Sequence, residues 1–146
     1  MNWINKEVLT WVLIAAGIGQ LVLCLASPAI PVVLGWREQV RVLPKLLQQV
    51  FWTYACYVLG AHIVFGVLSA FCPGVLLGDG PLALWVCGFI TVWWGARLAL
   101  HLTTFDTSEV KETRWTKLAE LGLGFLFVTL TLVYGLAVIY HIGGEK

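Results

Sequence analysis

Charged residues are scarce in this chain of 146 residues, which restricts the classes of protein to which it can belong. Asp, Glu, Lys and Arg make up 12% of the sequence and hydrophobic residues make up 60%, whereas soluble domains carry roughly 25% charged residues. A soluble domain of this length buries only about two-thirds of its unfolded surface, which is too little to hide so many apolar side chains from water. The formal net charge of +1 also provides no overall basic or acidic field that would point to nucleic acid or to a charged substrate.

Cysteines with metal-binding spacing are missing from the sequence. The four cysteines form no C-x-x-C motif and no Cys/His spacing suited to zinc, so we predict free thiols and no metal site. A disulfide between Cys72 and Cys87 is the alternative, because both are expected near the same membrane face. Internal repeats, low-complexity tracts and linkers are also missing, so we predict a single integral membrane domain over residues 1–146.

Four long apolar stretches are what the sequence does contain. They run over about 8–26, 50–71, 82–105 and 116–142, and a helix needs roughly 20 apolar residues to cross a bilayer core of about 30 Å. Backbone groups in lipid must pair internally, and these stretches lack the alternating pattern of barrel strands, so helices are the remaining solution. The sequence therefore predicts an all-α membrane protein, a bundle of four transmembrane helices.

Basic residues are concentrated in two of the connections between these stretches. Five of the nine Lys and Arg residues lie in segments 35–49 and 106–115, whereas the opposite side holds Lys6 and Lys146. Because positively charged loops stay in the cytoplasm, we predict that both segments are cytoplasmic and that both termini lie outside. Compact length and short loops favour a bacterial cytoplasmic (inner) membrane as the location.

The segment between the first two helices has an amphipathic pattern. Its apolar residues recur at helical spacing on one face: Trp36, Val40, Leu43, Leu47 and Val50. Arg37, Arg41 and Lys45 stand four residues apart on another face. A helix lying in the membrane interface would bury the first set and offer the cations to anionic lipid headgroups. The alternative is that the cations only fix the orientation of the chain.

Ionisable residues inside the apolar stretches are candidates for function, because charge in hydrocarbon is costly. Arg97 and His101 lie one turn apart near the end of the third stretch, and Glu120 lies near the start of the fourth. We predict a polar intramembrane cluster of these three residues, with an ion pair between Arg97 and Glu120. In one interpretation the three residues form a pocket for an anionic headgroup or a proton. In the other, Arg97 snorkels to the interface and Glu120 only neutralises its charge.

His62 is the ionisable residue nearest to the middle of an apolar stretch. Small neighbours surround it, so a haem or chlorophyll-type pigment with a single histidine ligand is one hypothesis, and Trp93 and Trp94 are further candidate contacts for a ligand or pigment. The other hypothesis is a structural hydrogen bond between helices, for which Gln20 lies at a similar depth. We predict no cofactor.

The string His101-Leu-Thr-Thr-Phe-Asp106 has the spacing H-x4-D and resembles the catalytic motif of glycerolipid acyltransferases. In that family the histidine acts as a general base on a hydroxyl and the aspartate orients it. The resemblance covers these six residues, and the further sequence blocks of the family are missing. Asp106 also fits a helix N-cap, since Asp106 and Glu109 have capping-box spacing. We therefore predict that the protein is not an enzyme.

Small residues that let helices approach closely form the last pattern. They are Cys87, Thr91, Gly95 and Ala99 in the third stretch, Ala15 and Gly19 in the first, and Gly122, Gly124 and Gly135 in the fourth. With no catalytic constellation, these faces favour a non-catalytic subunit or accessory protein that packs against lipid and against other membrane proteins or copies of itself. The alternative is a small oligomeric transporter or a lipid- or pigment-binding protein that uses His62, Arg97, His101 and Glu120.

Overall fold

The computed structural model describes residues 5–33, 35–103 and 114–144. All regular structure within these residues is α-helical. The helices are α1 (Lys6–Ala26), α2 (Ala29–Val33), α3 (Trp36–Arg41), α4 (Lys45–Phe71), α5 (Pro73–Leu76), α6 (Pro81–Thr103) and α7 (Arg114–Gly144).

Four stretches are long and apolar enough to cross a membrane: Lys6–Val32, Lys45–Phe71, Pro81–Thr103 and Glu120–Gly143. The all-helical prediction and the four long apolar helices are thereby confirmed. Only 22 to 28% of their most apolar windows is buried, so most of the apolar surface faces outward. Outward-facing residues include Trp11, Tyr57, Phe89 and Phe125, each more than half exposed.

The described residues divide into two compact units. One comprises those within Ile14–Cys72, and the other comprises those within Met1–Leu13 and Pro73–Lys146, so that the boundary falls inside α1. The first unit contains most of α1 together with α2, α3 and α4. The second contains α5, α6 and α7. Whether the chain behaves as a single domain stays a prediction.

The connection between α1 and α4 is built from short elements. Ser27 and Pro28 end α1 in a turn, and the Ser27 hydroxyl donates to the carbonyl of Cys24 over 3.0 Å. Gly35 precedes α3 with φ +62°, a left-handed conformation that glycine adopts without steric cost. Pro44 is the N-cap of α4, so α4 begins five residues earlier than the apolar stretch predicts. The expected interfacial segment is thus a short helix and a turn followed by the first residues of α4.

In the second unit, α6 and α7 pack along their lengths and α5 lies against α6. The core side chains of the pair are large and fully buried, and the largest are Trp94, Tyr134, Ile90 and Leu130. Predicted boundaries agree with α6 at its start and with α7 within two residues at each end. The predicted end of the third stretch at Phe105 lies outside the described residues.

Candidate functional site

Helices α1 and α4 approach each other at glycine. A Cβ atom added at Gly17 would lie 2.5 Å from the backbone nitrogen of Ala70 and 2.8 Å from the carbonyl oxygen of Gly66. One added at Gly66 would lie 2.9 Å from the side chain of Leu21. Real Cβ atoms do not tolerate such distances to backbone, so the absence of a side chain permits the contact. A small residue therefore does permit close helix packing within this unit. In α1 that residue is Gly17, and not the predicted Ala15 or Gly19.

A buried polar contact lies next to this glycine contact. The amide of Gln20, which is fully buried, donates a hydrogen bond of 2.9 Å to the backbone carbonyl of His62. Ser69, also fully buried, donates its hydroxyl proton to the carbonyl of Phe65 over 2.9 Å. The predicted link between Gln20 and His62 is thus present, but it ends on the backbone of the histidine.

The candidate ligand or pigment residues fall in different units. His62 is 7% exposed and belongs to the unit of α1 and α4, whereas Trp93 and Trp94 belong to the unit of α6 and α7. Trp94 is fully buried, with its ring 5.6 Å from that of Phe127. Trp93 is half-buried and lies 5.9 Å from the ring of Phe89. Trp94 is therefore a packing residue of the α6–α7 core. A pigment contact at any of the three stays a prediction.

The α6–α7 contact pairs glycine with threonine in both directions. A Cβ atom at Gly95 would lie 3.8 Å from the methyl group of Thr131, and one at Gly135 would lie 3.9 Å from that of Thr91. Each threonine hydroxyl donates to the carbonyl four residues earlier in its own helix, over 2.7 Å. Their hydroxyls are thus satisfied while their methyl groups pack. These two pairs define the register in which the antiparallel helices lie.

The register explains the arrangement of Arg97, His101 and Glu120. His101 lies against α7, with its ring 5.6 Å from that of Phe127 and its Nε2 3.4 Å from where Gly124 would carry a Cβ atom. Continuing the register places Arg97 level with Thr129. Glu120 precedes Thr129 by nine residues, or roughly 13 Å at 1.5 Å per residue.

The predicted ion pair is consequently not formed in the part of the chain that the structure describes. There, Arg97 is half-buried with no ion pair or hydrogen bond, and Glu120 is exposed. Depth counted from the helix ends places Glu120 and Arg97 at a similar level. The glycine–threonine pairs shift the helices away from that alignment. A ligand pocket shared by the three residues stays a prediction.

A polar contact that sequence reasoning missed holds α5 to its neighbours. The backbone carbonyl of Leu76 accepts a hydrogen bond of 2.8 Å from Nε2 of His141, and a second of 3.3 Å from the thiol of Cys87. Leu76 and Leu77 are buried. One carbonyl therefore joins α5 to both α6 and α7. The thiols of Cys87 and Cys72 are free, so the alternative of a disulfide between them is not realised.

The three cations of segment 35–49 lie on the surface. Arg37, Arg41 and Lys45 are exposed. The amide of Gln48 donates to the carbonyls of Arg41 and Leu43, over 3.2 and 2.8 Å, which caps α3. Trp36 meets the ring of Phe51 edge-on, with 5.6 Å between the ring centres. The predicted apolar face is only partly covered: Val40 is buried, whereas Leu43, Leu47 and Val50 are exposed.

Each of the four long helices also carries a glycine that the described part of the chain leaves uncovered. No described atom would lie within 4 Å of a Cβ added at these positions, which are Gly19 in α1, Gly60 in α4, Gly88 in α6 and Gly122 in α7. These open glycines differ from Gly17, Gly66, Gly95 and Gly135, which the helix contacts use. The sequence pattern alone did not separate the two sets.

The potential metal ligands and the H-x4-D string remain to be located. No group of three or more His, Cys, Asp and Glu side chains within residues 5–33, 35–103 and 114–144 is placed to hold a metal ion. Asp106 of the H-x4-D string lies outside these residues, so the motif stays without a structural description. No protein-family model, no curated protein and no solved structure matches the chain.

Proposed function

We propose that this chain is an integral membrane protein that acts as a non-catalytic subunit or accessory protein, packing against other membrane proteins. The proposal is supported by four helices with the length and apolarity to cross a bilayer. It is also supported by the outward-facing apolar side chains, which lipid or a partner would cover and water would not. In a bacterial cytoplasmic membrane, the basic segments 35–49 and 106–115 would face the cytoplasm and both termini the outside.

The observation that supports a contact with a partner protein is the set of open glycines. Glycine in a helix interior costs roughly 0.5–1 kcal/mol relative to alanine, and the helix contacts within each unit account for only some of these residues. Membrane helices use small residues to bring a second helix close. An open glycine in each long helix is therefore best explained by a helix of another protein, or of a second copy.

The outward face of α4 is the strongest candidate for this contact. Gly60 lies there between the exposed Cys56 and Val64, which precede and follow it by four residues. Tyr54 and Tyr57 on the same helix are 65% and 70% exposed. A tyrosine hydroxyl in the apolar part of a bilayer needs a hydrogen-bond partner, which a neighbouring membrane helix can supply.

A second element of the proposal is contact between α3 and lipid. Gln48 and Phe51 hold α3 to the start of α4, which leaves Arg37, Arg41 and Lys45 exposed at the end of a long apolar helix. Basic side chains in that position attract acidic headgroups by about 1 kcal/mol each. The exposed Val42 and Leu46 beside them would enter the acyl region.

The test is native mass spectrometry of the protein extracted from its own membrane in a mild detergent. Gly60→Leu adds bulk to the open face, since Gly60 is exposed and no described atom lies within 4 Å of its Cβ position. Phe71→Leu, at an exposed position in the same helix, is the matched control. We expect the native mass spectra of the wild type and the control to show a stoichiometric complex, and those of Gly60→Leu to show mainly a folded monomer. A wild type that is detected as a lone monomer would contradict the proposal.

A further inference from the structure

Arg97 is a cation inside an apolar helix for which the described residues supply no counter-charge. It lies six residues before Thr103, so roughly 9 Å inside the last described residue of α6 at 1.5 Å per residue. The side chain is half-buried and makes no ion pair or hydrogen bond with the described residues. Charged groups at such depth are rare and normally paired.

The residues around Arg97 define what can approach it. On α7 the register places Thr129 level with it, and the Thr129 hydroxyl already donates to the carbonyl of Phe125 over 2.8 Å. His101, one turn along α6, is packed against Phe127 and Gly124, so it lines one side of the site. On the outer side, Ala96 and Leu100 are exposed. Arg97, itself half-buried, therefore lies at the border between the exposed residues of α6 and the contact with α7.

The surroundings at that point are apolar, which selects the kind of anion. Leu100 is 48% exposed and Leu102 is 73% exposed, and acyl chains would cover these side chains. A soluble anion would have to cross that layer without its water, whereas a phospholipid brings its phosphate to this depth with its chains already alongside. A guanidinium binds two phosphate oxygens at once through parallel N–H groups, which a lysine cannot reproduce.

We propose that Arg97 binds the phosphate group of an acidic phospholipid in the membrane leaflet at the Thr103 end of α6. The inference rests on the membrane insertion proposed above, and it does not require a partner protein. It concerns a lipid held at one arginine within the span, distinct from the exposed surface of α3.

The test compares lipid retention by native mass spectrometry after reconstitution in nanodiscs of equal parts phosphatidylglycerol and phosphatidylcholine. The variants are Arg97→Gln and Arg97→Lys, with Arg114→Gln as the matched control because Arg114 is an exposed arginine at the start of α7. We expect the wild type and Arg114→Gln to retain one phosphatidylglycerol in preference to phosphatidylcholine. The preference should fall about five-fold or more in Arg97→Gln and partly in Arg97→Lys, which keeps the charge but loses the two-point contact.

Three results would overturn the proposal. The first is an unchanged preference for phosphatidylglycerol in Arg97→Gln, or in Arg97→Lys if the glutamine variant does not fold. The second is displacement of the retained lipid by millimolar inorganic phosphate, which would identify a free-anion site. The third is a wild type that retains no lipid while Arg97→Gln releases a co-purified membrane protein, which would place Arg97 in the partner contact. Loss of the Gly60→Leu effect with lipid retention intact would remove the proposed function and leave this inference standing.

Discussion

The side-chain amide of Gln20 donates a hydrogen bond to the backbone carbonyl of His62 across the contact between α1 and α4, over 2.9 Å. Three residues before Gln20, Gly17 lets the two backbones approach within a distance that no side chain would fit. The close approach and the hydrogen bond support each other, because a donor on a side chain as short as glutamine reaches a backbone carbonyl only where the helices are near. This contact fixes the α1–α4 pair.

Replacing Gln20 with leucine keeps most of the volume and removes the donor. We expect a loss of about 0.5–1.5 kcal/mol in the free energy of unfolding, which is the usual net contribution of one hydrogen bond. The measurement is equilibrium unfolding in mixed micelles. Gln49→Leu is the control, since Gln49 is exposed at the start of α4. This substitution should change the free energy of unfolding by less than about 0.5 kcal/mol. Equal stability of the two variants would show that the bond contributes nothing.

Gly17→Ala should destabilise the α1–α4 contact strongly. The new methyl group would meet the backbone of Ala70 and Gly66, and forcing an extra carbon into a packed contact typically costs about 1–3 kcal/mol. Gly19→Ala, two residues along the same helix, meets nothing within 4 Å and should leave stability unchanged or raise it by up to about 1 kcal/mol. Unfolding in micelles measures both. A tolerated Gly17→Ala would contradict the described packing.

His141→Phe should loosen α5. The variant keeps an aromatic ring but loses the hydrogen bond to the carbonyl of Leu76. Since one such bond contributes about 1 kcal/mol, amide exchange in residues 73–78 should accelerate about five-fold. Hydrogen–deuterium exchange read by mass spectrometry follows this segment directly, and His101→Phe serves as the control because His101 contacts Gly124 and Phe127 instead. Unchanged exchange in His141→Phe would show that the bond does not hold α5.

Cys72 reports the orientation of the chain. It is exposed at the C-terminal end of α4, whereas Cys24 and Cys87 are buried, and Cys56 lies within an apolar helix where lipid would shield it. With segment 35–49 in the cytoplasm, a membrane-impermeant maleimide should label intact cells carrying the wild type and not those carrying Cys72→Ser. A cysteine placed at Gln49 in the Cys72→Ser background should react only after permeabilisation. The reverse pattern would invert the proposed topology.

The helices could be predicted from the sequence because their signals are local. An apolar run of about 20 residues is a property of the stretch itself, and Pro28, Pro81 and the glycines at 143 and 144 mark ends that the structure reproduces within a few residues. Pro44 is a local signal of the same kind, because it marks the start of α4. Proline lacks an N–H and is well tolerated where a helix begins, so it starts α4 ahead of the apolar run.

The contacts between helices could not be predicted in the same way, because they depend on register. The separation of Arg97 and Glu120 follows from the pairing of Thr91 with Gly135, which no distance along the sequence reveals. Similar depth paired Gln20 with His62, but it did not show that the bond ends on the His62 carbonyl, and nothing in the sequence indicated the bond to the Leu76 carbonyl. Every residue offers a carbonyl, and the sequence does not say which one meets a side chain. Gly17 did carry a signal, because a glycine in a helix interior usually has a packing reason.

The central claim is that lipid covers the outward-facing apolar side chains of the four long helices. The most direct test is to express the full chain, wash the membranes with alkaline carbonate, and then move the purified protein from detergent into plain buffer. We predict that the chain remains in the washed membranes and aggregates once detergent is removed. Release by carbonate, followed by a monodisperse helical monomer in detergent-free buffer, would contradict the account.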